Sequence, residues 1–366
     1  MQLTVRTTGL ELRTPLRISR SVMARRDAVW ARIGQDGDTG HGEVVSSVYL
    51  GLTAEQAVRA LHDHAAPALA RQDGPESALA ALRDGRLLPP AFPPGVTAAV
   101  DSALLDLLGK RTGRPVHALL GTSGPHGTPP SAGTARTLGI TDPAQAAAHA
   151  RDLAARGFRL LKLKAGTADP AEDLDRTAAV RDAAPGVRLL LDPNGAWTPE
   201  QAATLLPRFA ALGVEAVEQP IAPGDPDALA RLAARSPLPL IADEDAAGYE
   251  DILRLAGRVQ GVNIKLAQCG GAQEALRICR ALEGSGTDIM LGCLTASSLG
   301  IAPAVHLARR ARWADLDGHL LLADDPWQGI GGADGTVRAG PGPGLGVTPA
   351  PVSAPRTAEH TGRTPT

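Results

Sequence analysis

The chain has 366 residues, a formal net charge of −2, and 43% apolar but only 2% aromatic residues. That length exceeds one ordinary domain, the near-neutral charge offers nothing to nucleic acid or an anionic membrane, and the Ala/Leu/Val-rich composition favours a helix-rich α/β fold over an all-β sandwich. Cys269, Cys279 and Cys293 are spaced for neither a zinc site nor a disulfide framework, and neither a basic-apolar leader nor a bilayer-length apolar run is present, so a reducing cytoplasm is the expected location.

Residues 1 to about 50 alternate apolar and polar, as in Ala28-Val29-Trp30-Ala31-Arg32-Ile33. With Gln35-Asp36-Gly37-Asp38 as a tight turn, this stretch predicts an antiparallel hairpin. Helical periodicity follows: 54–71 reads as one helix, and Pro94-Gly95-Val96-Thr97 opens another that runs to Gly113. Together these form a small α+β domain over 1–125 that precedes the barrel. The aperiodic Gly/Pro stretch 121–130 reads as a linker. From about residue 132 strand–helix units repeat, with helices expected at 143–156, 172–184 and 199–212, a seventh strand at 288–291 and an eighth at 312–315. The fold class is therefore α/β, a barrel of strand–helix units over 126–320. Residues 321–345 are expected to pack back on that N-terminal domain, and the Pro/Gly/Thr/Ser-rich 346–366 to be a disordered tail.

Five strings within the repeats end an apolar run on a charged residue: Leu161-Lys162-Leu163-Lys164, Leu190-Leu191-Asp192-Pro193-Asn194, Val217-Glu218-Gln219-Pro220, Ile241-Ala242-Asp243-Glu244 and Asn263-Ile264-Lys265. From Lys164 to Asp192, Glu218, Asp243 and Lys265 the steps are about 28, 26, 25 and 22 residues, the length of one strand plus helix. Each piece alone has an ordinary explanation, as a solvated lysine edge or a helix-capping carboxylate. In a parallel barrel covered on both faces an unpaired lysine is costly, and three acids at successive strand ends make an all-oxygen anionic pocket suited to Mg²⁺. Strand alternation puts Lys162 and Lys164 on one face. Lys265 then approaches from the opposite side, so that one lysine can take an α-proton and the other return one, while Mg²⁺ and Lys162 stabilise the enediolate. Neighbouring cations are expected to lower the pKa of Lys164.

Taken together these strings resemble the enolase superfamily, and within it the muconate-lactonising subgroup, whose pattern is a Lys-x-Lys, three acidic metal ligands and a lone Lys. Val100-Asp101-Ser102-Ala103-Leu104-Leu105-Asp106-Leu107-Leu108-Gly109-Lys110 is similar to the family's helix joining cap to barrel, and Cys269-Gly270-Gly271 to another of its signatures. The resemblance implies a modified TIM barrel of (β/α)7β form with 1–125 as its α+β capping domain, a small-molecule substrate, Mg²⁺ as cofactor, a homo-oligomer, and no nucleic-acid or membrane partner. Asp315-Leu316-Asp317 is similar to the Asp-x-Asp with which dipeptide epimerases hold a free α-ammonium group. It points to epimerisation of a dipeptide at the α-carbon of its C-terminal residue. N-acylamino acid racemase, o-succinylbenzoate synthase and cycloisomerase activities remain alternatives on the same lysines, as does a non-catalytic small-molecule-binding barrel. Arg20, on a capping-domain loop at 16–22, is a candidate for an anionic side chain or terminal carboxylate; Asn194, Thr137 and Cys293 are further candidate substrate contacts, and a loop at 44–50 is a candidate wall of the distal pocket. Ala296 and Gln268 stand where many dipeptide epimerases carry a glutamate and a lysine.

Overall fold

Alternation in the first 45 residues produces three antiparallel strands, β1 (Gln2–Ile18), β2 (Ser21–Gln35) and β3 (Asp38–Val45), in a computed structural model that describes residues 1–351. The β2–β3 turn places Asp36 at φ 53° and Gly37 at φ 92°, the left-handed pair that a two-residue hairpin turn requires. The stretch expected as a loop at 16–22 is instead the tip of the β1–β2 hairpin. Leu16 lies opposite Met23, Arg17 opposite Val22 and Ile18 opposite Ser21, beyond a register shift that follows Glu11. This tip leans on the barrel, where Ile140 donates its N–H to Arg17 O at 2.9 Å.

The helix expected at 54–71 runs as Ala54–Ala60, a π-helical turn at Leu61–Ala65, and Ala66–Ala70. Widening of the turn just ahead of Pro67, which has no N–H to donate, lets Ala66 bond to Leu61 O. The long helix Pro94–Thr112 packs on β3 and ends at Gly113, whose φ of 68° is a left-handed cap.

Eight parallel strands follow: β4 (Arg136–Leu138), β5 (Leu160–Lys164), β6 (Arg188–Asp192), β7 (Val214–Glu218), β8 (Leu240–Ala242), β9 (Gly261–Lys265), β10 (Asp288–Gly292) and β11 (Trp313–Asp315). They pair in chain order, and the Ala135 N–H bond to Ala314 O at 2.7 Å brings the first to the last and closes the ring. Four of the intervening helices start alike, with an Asp or Thr followed by Pro: Asp142-Pro143, Asp169-Pro170, Thr198-Pro199 and Asp225-Pro226. Each first side chain accepts a backbone N–H two or three residues on, and the proline occupies a position with no intrahelical bond to lose.

Inside the barrel, side chains form two layers of opposite character. Ala135, Leu160, Leu190, Ala216, Ile241, Met290 and Trp313 make a closed apolar layer. Two residues further along the strands come Lys162, Asp192, Glu218, Asp243 and Asp315, so the period of two that buries the apolar layer lifts a polar ring above it. Leu161 and Leu163 point the other way, into the core beneath the helices.

The C-terminal segment touches both parts of the molecule. Ala323 N–H donates to Glu11 O at 2.8 Å, Trp327 meets Trp30 edge-on with ring centroids 5.8 Å apart, and Thr336–Arg338 pairs with Ser131–Gly133 beside the barrel. The expectation of disorder from residue 346 is corrected in part. Thr348–Pro349 pairs with Trp327–Gln328, and Leu345 and Val347 are buried, because these two apolar side chains, each directly after a turning glycine (Gly344, Gly346), find the core that an average over composition hides. The rest of that expectation, 352–366, lies outside the described residues. Among the described residues no helix is long and apolar enough to cross a membrane.

Candidate active site

Barrel order arranges the candidate residues as an arc. Lys162 and Lys164 stand on the second barrel strand, Asp192, Glu218 and Asp243 on or directly after the third, fourth and fifth, and Lys265 on the sixth. In an eight-stranded ring the second and sixth strands face each other across the axis, so the two outer lysines approach from opposite sides. Lys164 is level with Asp192 in the pairing of β5 with β6. Backbone turns just beyond the strands are tight: Asn194 (φ 50°) and Gln219 (φ 36°) are left-handed although neither is glycine. Their bonds hold them there. Asn194 N–H donates to Asp192 Oδ1 at 2.9 Å, and Gln219 Oε1 accepts from Asp243 N at 3.0 Å while its Nε2 reaches Asp245 at 2.8 Å.

The charges are buried and interlocked. Lys162 Nζ lies 2.6 Å from Glu218 Oε2, 3.0 Å from Asp192 Oδ2 and 2.8 Å from Asp315 Oδ2, which joins carboxylates from three strands. Lys164 contacts Asp192, with Asn194 Oδ1 at 3.2 Å, and Lys265 lies 2.5 Å from Asp243. Burial works against the charge on Lys162 and on Lys265, but the carboxylates around each outweigh it and hold both ammonium groups above their ordinary pKa. Burial and the nearby Asp192 charge raise Glu218 to about 7, with Lys162 relieving part of that penalty. Asp192 moves the other way, because Lys162 and Lys164 more than compensate its burial. The Lys162 ammonium, the expected cationic neighbour of Lys164, shares Asp192 Oδ2 with it, while the direct contacts of Lys164 are this carboxylate and the Asn194 amide oxygen.

Among the described residues no three ligating side chains are drawn around one point closely enough to hold an ion, since the ammonium groups engage the carboxylates. The donor set nevertheless fits a hard divalent cation. Three carboxylates share one rim, Asp243 Oδ1 is buried with no hydrogen-bond partner, and Glu218 Oε2, though close to Lys162, is outside hydrogen-bonding geometry.

At the last strand, Asp315 and Asp317 converge on the same mouth. Asp315 Oδ2 is held by Lys162, and Asp317 Oδ2 by Arg136 Nη1 at 2.9 Å and Thr137 N at 2.8 Å. The other oxygen of each meets only the Thr137 hydroxyl, at 3.5 and 3.4 Å, and so retains acceptor capacity. Asp317 precedes the short 3₁₀ turn Gly318–Leu321 but makes no capping bond to it. Cys293, after the seventh strand, sits near this pair, and burial pushes its thiol well above the ordinary range, the two aspartates adding to the effect.

The capping domain supplies the outer wall. A cavity of about 750 Å³ is bounded by the hairpin tip, by 46–49, and by Lys164, Lys265, Asn194 and Cys293. Arg20 is half-exposed, stacks over Tyr49 at 5.3 Å, and is already neutralised by Glu244 at 2.8 Å; it is a tether between cap and barrel more than a free anion receptor. Thr137 contacts the aspartate pair and does not line this cavity. Sequence reasoning missed Arg136, Glu244 and Asn263, which donates to Glu218 Oε1 at 2.9 Å. Asn263 had a signal, as it lies two residues before Lys265 and therefore on the same strand face. A glycine at 292 makes room for it, because a Cβ there would collide with the Asn263 amide.

Two family models match the chain. "Mandelate racemase / muconate lactonizing enzyme, N-terminal domain" covers residues 1–121, and "Enolase C-terminal domain-like" covers 145–353. The chain belongs to the enolase superfamily. Among its relatives, a hydrophobic dipeptide epimerase from Roseobacter litoralis is 34% identical over 352 residues, which span 94% of this chain and 98% of the relative. An L-Ala-D/L-Glu epimerase from Bacteroides thetaiotaomicron is 31% identical over 323 residues, 87% of this chain and 80% of the relative. A dipeptide epimerase from Enterococcus faecalis, solved in complex with Mg and L-Leu-L-Tyr, superposes with a TM-score of 0.88 at 30% identity, covering 95% of this chain and 99% of that one. This superfamily member, with its antiparallel cap and eight-stranded barrel, is an isomerase.

Proposed function

We propose that this enolase-superfamily member epimerises a dipeptide at the α-carbon of its C-terminal residue by two-base proton transfer between Lys164 and Lys265. The observation that carries the reading is the pairing of two things at one mouth: lysines on barrel strands that face each other, and an Asp315–Asp317 pair in which one oxygen of each carboxylate is free of strong protein bonds. A dipeptide's ammonium group suits the two free oxygens. Its C-terminal carboxylate, at the Lys162 end, then leaves the α-carbon between the two bases. One lysine, in its neutral form, takes the α-proton; the other, as an ammonium, delivers a proton to the opposite face, so that the configuration inverts with no net change in composition. Lys162 compensates negative charge that develops on the carboxylate oxygens. Asn194 orients Lys164 through its amide oxygen. Asp192, Glu218 and Asp243 would hold Mg²⁺, which when bound supplies positive charge toward the substrate carboxylate. The dipeptide epimerases among the relatives and the Mg and dipeptide ligands of the Enterococcus faecalis structure support this reading.

The test is solvent exchange. The purified enzyme is incubated in D2O with Mg²⁺ and a broad dipeptide library, with and without a chelator, and α-deuterium is read by mass spectrometry. Exchange that needs Mg²⁺ and a free substrate amine is expected. No exchange from a folded, metal-replete enzyme would sink the proposal, and equal exchange of N-acyl amino acids after Asp315→Asn and Asp317→Asn would favour racemisation of acylated substrates.

A further inference from the structure

Arg26 lies on β2 where that strand lines the cavity above the lysines. A guanidinium offers five donors, and this one is poorly provided for. Nη1 donates to Ser46 O at 2.6 Å, Nη2 lies 3.0 Å from Met23 Sδ, a weak acceptor, and the buried Nε–H has no partner. Among the described residues that line the cavity, the acids are Asp243 and Glu244, and each is already paired, with Lys265 and Arg20. The adjacent Arg25 turns away to Asp27 and Glu11. Burial accordingly lowers the Arg26 guanidinium to about 10, opposed by Cys293 rather than by any carboxylate. A desolvated cation without a counter-ion is unfavourable, and an anion that entered the cavity would relieve it.

The proposed pose leaves one source for that anion. A dipeptide's α-carboxylate is committed at the Lys162 end and its ammonium at Asp315 and Asp317, so a further negative charge has to come from a side chain. Resting on that reading of the site, we infer that Arg26 is a specificity-determining residue that receives a side-chain carboxylate, so that the enzyme prefers acidic dipeptides. Arg20, the arginine singled out by the sequence, cannot serve equally, because Glu244 already neutralises it.

The experiment uses the full-length enzyme with Mg²⁺ and four dipeptides: L-Ala-L-Glu, L-Glu-L-Ala and their glutamine isosteres L-Ala-L-Gln and L-Gln-L-Ala. A charge-assisted bond of the usual strength gives the glutamyl peptide an advantage of roughly 10- to 100-fold in kcat/KM over its isostere. The position at which this appears identifies the side chain that reaches Arg26. Arg26→Met is expected to bring the ratio to about one, and Arg26→Lys to restore part of it. Equal rates for glutamyl and glutaminyl peptides, or a ratio that Arg26→Met leaves intact, would overturn the inference. Calorimetric binding of the same four peptides separates it from the epimerase reading: absence of exchange with every peptide defeats the latter, while equal affinities for each Glu/Gln pair defeat the former.

Discussion

The barrel ring and the capping-domain wall enclose the same cavity but are built on different terms. In the ring, Lys162, Asp192, Glu218 and Asp243 are all but fully buried, and each is fixed by charged or hydrogen-bonded partners from other strands. On the wall, Val22 and Val48 are exposed, Arg20 is half-exposed, and Arg26 lacks an anionic partner. The contrast teaches a division of labour. Groups that move protons need fixed positions and a low-dielectric surround, which parallel strands provide, whereas groups that select among substrates sit where side chains can still adjust.

Removing a base should break the contrast most sharply. Lys164→Ala or Lys265→Ala is expected to lower epimerisation by about 10²- to 10⁴-fold with the fold retained, measured by α-deuterium exchange beside circular dichroism. Loss of exchange from only one epimer in each variant would assign the faces. Next in size, Asp315→Asn or Asp317→Asn should weaken dipeptide use by roughly 10- to 100-fold in kcat/KM, with little effect on peptides whose amine is already acylated. The wall should be gentler: Arg20→Ala removes a half-exposed ion pair, of about 0.2–1 kcal/mol, and should change KM by no more than about fivefold. A loss comparable to that of the lysine variants would place Arg20 with the ring instead.

The joint between the two regions gives an effect on stability and its pH dependence, where the other variants act on turnover. Glu43, on β3, is buried, accepts from Trp30 Nε1 at 2.7 Å and from Ser297 N at 2.8 Å, and burial raises its pKa to about 6. Because the folded protein holds this proton more tightly than the unfolded chain, the stability it contributes is full below the ordinary carboxylate pKa and is lost as pH rises through about 6. Denaturant melts from pH 4 to 7.5 should show wild type losing up to about 2 kcal/mol relative to Glu43→Gln. Parallel pH profiles for the two proteins would show that Glu43 does not titrate with folding.

Much of the ring was legible because its signals are local. The strand-plus-helix interval, the apolar run before each charged residue and the period of two along Lys162 and Lys164 all operate within one repeat. The turn at Asp36-Gly37 was legible for the same reason. The hairpin tip at 16–22 was not, because polar alternation broken by a register shift reads as a loop, and the ordered stretch up to Pro351 was obscured by its glycines and prolines.

Spacing along the chain is enough to place charged groups at the ends of the second to sixth barrel strands, because each recurs after one strand and one helix. Which of them remain free to act depends on contacts made in the folded chain. Lys162 meets Asp315 across 153 positions, Arg136 occupies one oxygen of Asp317 across 181, and Arg20 finds Glu244 across 224. These pairings arise when the ring closes and the cap docks, and no local pattern encodes them. For that reason the sequence pointed to Arg20 as the receptor for an anion, whereas the folded chain neutralises Arg20 and leaves Arg26 without a carboxylate.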